Sequence, residues 1–327
     1  MKTGMAELLS MGELLIDFTP TGQTEDGRLL FSRNPGGAPA NVAVQAMRAG
    51  VSAGFLGKVG KDMFGDFLVK TLEECGVETA GLLQDQEYAT TLAFVQLNDR
   101  GDRDFSFYRN PGADTRLSFE ETDLSLIDNC KLLCFGSLLL TAEPSRSAVE
   151  QLVDYAKRRG KLTAYDPNWR PPLWKDHQEG VTRMKSLIPK ADIMKVSEEE
   201  LALLTGKARP EDGAKALLEQ GVSLVAVTLG PAGCAVFAKE FSLRKHTYDT
   251  KVKDTTGSGD SFFGAFLAKI IQSGKRPEDL NEQELAEFVD FANAAGAVCA
   301  TKTGAIPAMP DREEIETCRR EIPLLEM

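Results

Sequence analysis

The heptad Asp254-Thr255-Thr256-Gly257-Ser258-Gly259-Asp260, followed at once by an apolar run over 261–271, combines an anion cradle with an acid. A turn of small residues entering a helix leaves free backbone N–H groups aimed at one spot, and the helix dipole adds positive partial charge there, which suits a phosphate. Asp260 at the mouth of such a cradle is placed to take the proton of a hydroxyl that attacks a held phosphoryl group. Spacing alone equally allows Asp260 to be a helix N-cap. His177 and His246 are the two histidines of the chain, too few for histidine-rich metal sites and most catalytic triads, so carboxylates must carry any acid/base work.

A net charge of −11 argues against a nucleic-acid or anionic-membrane surface. An acidic protein that holds a polyphosphate must do so with local dipoles, a few basic side chains and bound cations. The 327 residues, 42% hydrophobic and 27% charged, fit a folded soluble protein with a substantial core. Glu7, Glu13 and Asp17 interrupt the apolar residues near the amino terminus, so neither a signal peptide nor a membrane span is expected there. Six scattered cysteines suit a reducing, cytoplasmic setting better than a disulfide framework. The close pair Cys130 and Cys134 reads as part of a buried strand, with no second Cys/His cluster to complete a zinc site.

The elements that must position the heptad follow a rhythm. Helix-like segments end at Gly50, Gly76, Gly160 and Gly221, each followed by an apolar strand candidate. The runs 132–135, 162–165, 193–196 and 224–229 are short and largely apolar, which predicts strands covered on both faces in a parallel sheet flanked by helices. Two stretches break the rhythm. Residues 18–35 are polar and Gly-rich, while 90–108 read as a hairpin around Asn98-Asp99-Arg100-Gly101-Asp102.

The heptad with its helix resembles the second signature of the ribokinase-like (PfkB) carbohydrate kinases. The segment Gly36-Gly37-Ala38-Pro39-Ala40-Asn41-Val42-Ala43, with Gly50 and Gly60 beyond it, resembles the first. The segments 107–114 and Asp166-Pro167-Asn168-Trp169-Arg170 resemble the fructokinase branch, so the similarity covers nearly the whole chain. The resemblance implies a three-layer α/β/α core with a mainly parallel sheet and a small β lid drawn from residues 18–35 and 88–112, in a single domain over 1–327. It also implies a homodimer formed through the lid.

By resemblance, Asp260 is the catalytic base and Gly257, Ser258 and Gly259 form the anion hole. Asp17, which follows the first apolar strand, and Gly36, Gly37 and Asn41 would hold the acceptor, where carboxylate and amide groups suit a polyol, and Arg109, Asn110 and Arg170 would approach it. Thr228, Gly230 and Gly233 would lie along ATP, and Asn293 near the adenine. Ser197 and Glu200 stand at the family's Asn-x-x-Glu motif, where the Glu supports hydrated Mg2+; their other reading is a capping box. Asp254, Thr256, Cys299, Lys302 and Gly304 match a monovalent-cation site, K+ in relatives, although Ala308 replaces a Ser ligand found in some of them. Asn41 and Asn293 also have plain readings, as a helix-start residue and a helix-packing residue.

A dinucleotide-dependent oxidoreductase would need Gly-x-Gly-x-x-Gly after the first strand, and a P-loop kinase a Gly-Lys pair followed by Ser or Thr; neither pattern occurs. The resemblance implies ATP-dependent phosphorylation of D-fructose at its 6-hydroxyl. The alternative acceptor is 2-keto-3-deoxygluconate, for which two arginines near the sugar would suit a carboxylate. A silent binding protein on the same fold is the competing class.

Overall fold

The computed structural model describes residues 5–97 and 103–326. Its strands are β1 (Leu8–Met11), β2 (Leu15–Gln23), β3 (Leu29–Gly36), β4 (Ala53–Gly60), β5 (Glu78–Asp85), β6 (Leu92–Leu97), β7 (Arg103–Tyr108), β8 (Leu132–Gly136), β9 (Leu162–Asp166), β10 (Ile193–Ser197), β11 (Leu224–Thr228), β12 (Cys234–Ala238) and β13 (Ser242–Lys245). Its helices are α1 (Ala38–Arg48), α2 (Met63–Glu74), α3 (Ser125–Asn129), α4 (Ser145–Arg158), α5 (His177–Leu187), α6 (Glu198–Thr205), α7 (Pro210–Leu218), α8 (Ser258–Ser273), α9 (Glu282–Ala300) and α10 (Arg312–Glu321).

The large sheet runs β13-β12-β11-β10-β9-β8-β1-β4-β5. It is parallel from β5 to β11, and β12 and β13 extend it antiparallel. The four apolar runs read from the sequence are β8, β9, β10 and β11. Side chains alternate across each strand, so the even and odd residues feed two separate cores. On one face Leu132, Ala164, Ile193 and Leu224 pack with α1, α2 and α8–α10; on the other Leu133, Tyr165, Met194 and Val225 pack with α3–α7. Helices cover both faces, which gives the three layers.

Helix α8 is the element that matters most for the site. Its central residues, from Ser261 to Ala268, are all buried, because it lies between α1 and α9 rather than at the surface. A helix apolar all round is stable only in such a place. Its amino terminus opens beside the carboxyl ends of the central strands, where ligands bind in open α/β sheets.

The second sheet runs β3-β2-β6-β7, with antiparallel pairs β2/β3 and β6/β7 and a parallel β2/β6 pairing. Phe94 stacks on Phe18 at 4.8 Å and meets Phe31 and Tyr108 edge-on, an aromatic spine for a sheet too small to have its own core. The 90–108 hairpin is β6/β7, in register from Leu92↔Tyr108 to Leu97↔Arg103, while the turn Asn98-Asp99-Arg100-Gly101-Asp102 lies outside the described residues. One expectation is corrected. Asp17 does not follow the first strand but lies inside β2 of the small sheet, opposite Asn34. The chain crosses from the large sheet to the small one at Gly12-Glu13, the break between the apolar segments 8–11 and 14–16, and apolar residues on both sides of that break do not reveal a change of sheet.

Candidate active site

Gly257 caps α8 in the left-handed conformation (φ 78°), a geometry that favours glycine, so Asp260 falls in the first helical turn and is not the N-cap. The first bond of the helix runs from Ser261 N–H to the Gly257 carbonyl at 2.7 Å. Of the N–H groups that precede that ladder, that of Ser258 donates to the Thr255 carbonyl at 3.2 Å, and those of Gly257, Gly259 and Asp260 form the cradle. Asp254 braces the turn: Oδ1 accepts from Thr256 N–H (2.8 Å) and Oδ2 from Gly304 N–H (3.1 Å).

The turn divides two cavities. The larger, about 730 Å³, is lined by Asp17, Gly37, Asn41, Arg170, Ser197, Glu200, Thr256, Gly257 and Asp260. The smaller, about 440 Å³, is lined by Thr228, Gly230, Gly233, Ser258 and Asn293. Thr255 and Gly259 face both. Residues expected along an acceptor and residues expected along a nucleotide thus separate onto two sides of one helix terminus.

Asn41, in the first turn of α1, donates from Nδ2 to Asp260 Oδ2 at 2.7 Å, and its Oδ1 is buried with no hydrogen-bond partner. Gly36 does not line the cavity; any side chain there would collide with the Asp17 carboxylate. Ser197 and Glu200 form the capping box of α6, and Glu200 Oε1 also accepts from Trp169 N–H at 2.7 Å. Each Glu200 oxygen therefore has one lone pair engaged and one left for water.

Arg109 and Asn110 are not brought to the cavity. The Arg109 guanidinium is engaged by Asp114 Oδ2, Thr141 Oγ1 and the Leu138 carbonyl, all within 2.9 Å, which makes it a buried brace behind the wall. Asn110 is exposed. Asn293 donates from Nδ2 to the Lys245 and His246 carbonyls (both 3.1 Å), so it also ties α9 to the end of β13. Lys302 pairs through its ammonium with Glu314, and the Cys299 carbonyl accepts from Lys302 N–H at 3.1 Å.

Three charged groups at or behind the larger cavity were not singled out from the sequence. Lys195 on β10 and Asp166 at the end of β9 form a buried ion pair at 2.8 Å. A methyl group on Gly259 would lie 3.2 Å from Lys195 Nζ, so this ammonium sits directly under the cradle. Burial opposes its charge, but Asp166, Glu200 and Asp260 outweigh burial and push its pKa above the ordinary lysine value. Burial raises the Asp166 carboxyl to about 6 against the pull of Lys195. The third is Glu13, only 2% exposed and on the wall of the larger cavity. The readable signal for Glu13 and Lys195 was the same: a lone charge inside an apolar run.

An anion cradle at a helix terminus, a carboxylate beside it, a buried ammonium beneath and a chamber on each side define a phosphotransferase on a ribokinase-like fold. Residues 5–312 match the family model described as pfkB family carbohydrate kinase, and the chain belongs to that family. Fructokinase-1 of Oryza sativa subsp. japonica is 44% identical over 317 residues, 95% of this chain and 97% of that one. A Vibrio cholerae fructokinase solved with fructose, ADP and potassium ion bound has a TM-score of 0.85 at 31% identity, covering 96% of this chain and 98% of that one. A putative ribokinase II from E. coli, solved with ATP and Mg2+, has a TM-score of 0.86 at 30% identity, covering 96% and 99%.

Proposed function

We propose that this protein is an ATP-dependent fructokinase that phosphorylates the 6-hydroxyl of D-fructose. The observation that carries the reading is the shared loop: Thr255 and Gly259 face both cavities, so a phosphoryl group held by the α8 terminus lies between the two. The relatives named fructokinase supply the acceptor.

Asp260 takes the proton of the sugar 6-hydroxyl as its oxygen bonds to the γ-phosphorus and the bond from phosphorus to the β,γ-bridging oxygen breaks, releasing ADP. The Asn41 amide fixes Asp260 Oδ2 and leaves the other carboxylate oxygen for the sugar. The N–H groups of Gly257 and Gly259 and the Lys195 ammonium stabilise charge on the transferring group. Asp17 and Asn41 Oδ1 accept from other sugar hydroxyls, with Arg170 at the rim. Thr228, Gly230, Gly233 and Asn293 line the nucleotide chamber.

Among the described residues no group of three or more His, Cys, Asp or Glu converges on one point, so Mg2+ would be held by ATP phosphates and water, with Glu200 bonding that water. Magnesium held there would supply positive charge against the phosphates. Asp254 with the Thr256, Cys299, Lys302 and Gly304 carbonyls is an all-oxygen donor set of the hardness that K+ requires, and this ion would brace the cradle as Asp254 does.

The whole chain reads as one kinase unit, with the small sheet as a discontinuous lid that brings Phe107 to the acceptor cavity. Leu29, Leu30, Phe31 and Tyr108 are exposed on that sheet, a surface suited to a lid-to-lid homodimer. No helix among the described residues is long and apolar enough to cross a membrane. All six cysteines are unpaired, which supports a cytoplasmic setting.

Because Arg109 is engaged behind the wall, Arg170 is left as the arginine on the larger cavity, which disfavours an acceptor bearing a carboxylate. The test is ATP-dependent ADP release with magnesium, comparing D-fructose, 2-keto-3-deoxygluconate, ribose and adenosine, with the product identified by phosphorus NMR. Fructose 6-phosphate as the preferred product is expected. A preference for the keto acid overturns the acceptor, and absence of turnover with every acceptor overturns the kinase mechanism.

A further inference from the structure

Glu13 lies in the short crossing between β1 and β2, 2% exposed, and forms part of the wall of the larger cavity. Its Oε1 accepts from Ala38 N–H, at the start of α1, at 3.1 Å. Its Oε2 is buried and has no hydrogen-bond partner. A carboxylate in that position would be a buried charge with one oxygen unsatisfied, a costly arrangement unless the group is neutral.

Burial favours the neutral form, against the bond from its own backbone N–H and the nearby charge of Arg109. Arg109 is near enough to act on Glu13, but its charge is already matched by Asp114 at 2.6 Å. Asp166 shares with Glu13 a pocket of about 10 Å³ behind the wall, and Asp17, Glu200, Asp260 and Lys195 face the same large cavity. Burial dominates, outweighing the pull of Arg109, and Asp114 adds to it, so the Glu13 carboxyl is raised to about 8.

Resting on the sugar-kinase reading above, we propose that Glu13 is a protonated hydrogen-bond donor to the acceptor, with Oε1 anchored on Ala38 N–H and the Oε2 hydroxyl offered to an oxygen of the sugar. Besides the cationic donors Lys195 and Arg170 on that cavity, a neutral donor would complement the acceptors there. Asp17, Asp260 and Asn41 Oδ1 can only accept, whereas every hydroxyl oxygen of a sugar also accepts bonds from a partner. Glu13 thereby selects for a neutral oxygen at one fixed place in the chamber, and an acceptor lacking that oxygen leaves the group unsatisfied.

The test compares wild type, Glu13→Gln and Glu13→Leu in the full chain by steady-state kinetics with the sugar that the wild type phosphorylates. A Gln amide keeps a donor where Oε2 stands and an acceptor for Ala38 N–H, so its sugar KM should stay within about threefold of wild type. Leu removes the donor and should raise the sugar KM by about tenfold or more, with the KM for ATP unchanged. Wild-type kcat/KM for the sugar should fall as pH rises through about 8, and the Gln variant should lack that fall. A Gln variant as impaired as Leu would mean that Glu13 accepts as a carboxylate, and an unchanged Leu variant would make it only a brace for α1. Either result overturns the proposal. Should Leu fail to fold, the difference between the wild-type and Gln pH profiles decides alone. Wild-type silence with fructose counts against the fructose reading, not against Glu13, whose profile is then measured with the acceptor that is used.

Discussion

The two chambers on either side of the α8 terminus are built from opposite materials. The larger one carries Glu13, Asp17, Lys195, Glu200 and Asp260, and its polar side chains are held in place by Asn41, by the Lys195–Asp166 pair and by the α6 capping box. The smaller is lined largely by Gly, Ala, Thr and aromatic residues, including Gly230, Gly233, Gly296, Ala297, Phe262 and Tyr248. One side positions charge at fixed points; the other offers backbone and a slot. The difference suits a reaction in which the acceptor must lose a proton at one atom while the donor nucleotide need only be held along its length.

Four measurements would break or sharpen that contrast. The largest effect is expected from Asp260→Asn, which removes the base while keeping a partner for Asn41: kcat should fall by about 10²- to 10⁴-fold with the KM for ATP nearly unchanged, as measured by coupled ADP release. Comparable losses in both KM values instead would mean that Asp260 only shapes the turn.

Next is Lys195→Met. It should lower kcat by roughly 10²-fold and destabilise the fold by about 3 kcal/mol, because Asp166 is left buried and unpaired. The double change Lys195→Met with Asp166→Asn should restore most of the melting temperature but not kcat. Recovery of both would reduce the ion pair to a structural role.

The third concerns pH. The Glu13 carboxyl is raised to about 8 from an ordinary value of 4.5, so between these values the folded chain binds the proton more tightly than the unfolded one. Stability must then fall as pH rises across that window, with a slope of at most about 1.4 kcal/mol per pH unit. Glu13→Gln should flatten this part of the profile in chemical denaturation. Raised Asp166 contributes in the same direction up to about 6, so a slope confined to values below 6 would point to that residue instead.

The smallest effect belongs to the nucleotide side. Asn293→Ala loses two bonds to the β13 end and should raise the KM for ATP by about three- to tenfold while leaving kcat within about twofold. A large kcat loss here would erase the distinction between the chambers.

Much of the framework is local in origin and was therefore legible. Short apolar runs gave β8 to β11, because a strand buried on both faces needs no alternation. Gly50, Gly76, Gly160 and Gly221 all take positive φ at helix ends, as their position before apolar strands implied. The Ser197 to Glu200 box depends on residues within one turn of each other, whereas the cap of α8 is Gly257 and not Asp260. Residue type and spacing along the chain were enough for the strands, the helix-end glycines and the box.

What the chain alone determined is thus the small-residue turn that opens α8 with Asp260 in its first turn, the α6 capping box and the βα rhythm. Tertiary structure decided the rest. It moved Asp17 into the small sheet, turned Arg109 away from the cavity onto Asp114, Thr141 and Leu138, and buried Lys195 and Glu13 on the wall of the larger cavity. The reason is physical: a charged group's role follows from its burial and its partners, and those partners come from β2, β9, α1 and the 138–141 turn, which only folding brings together.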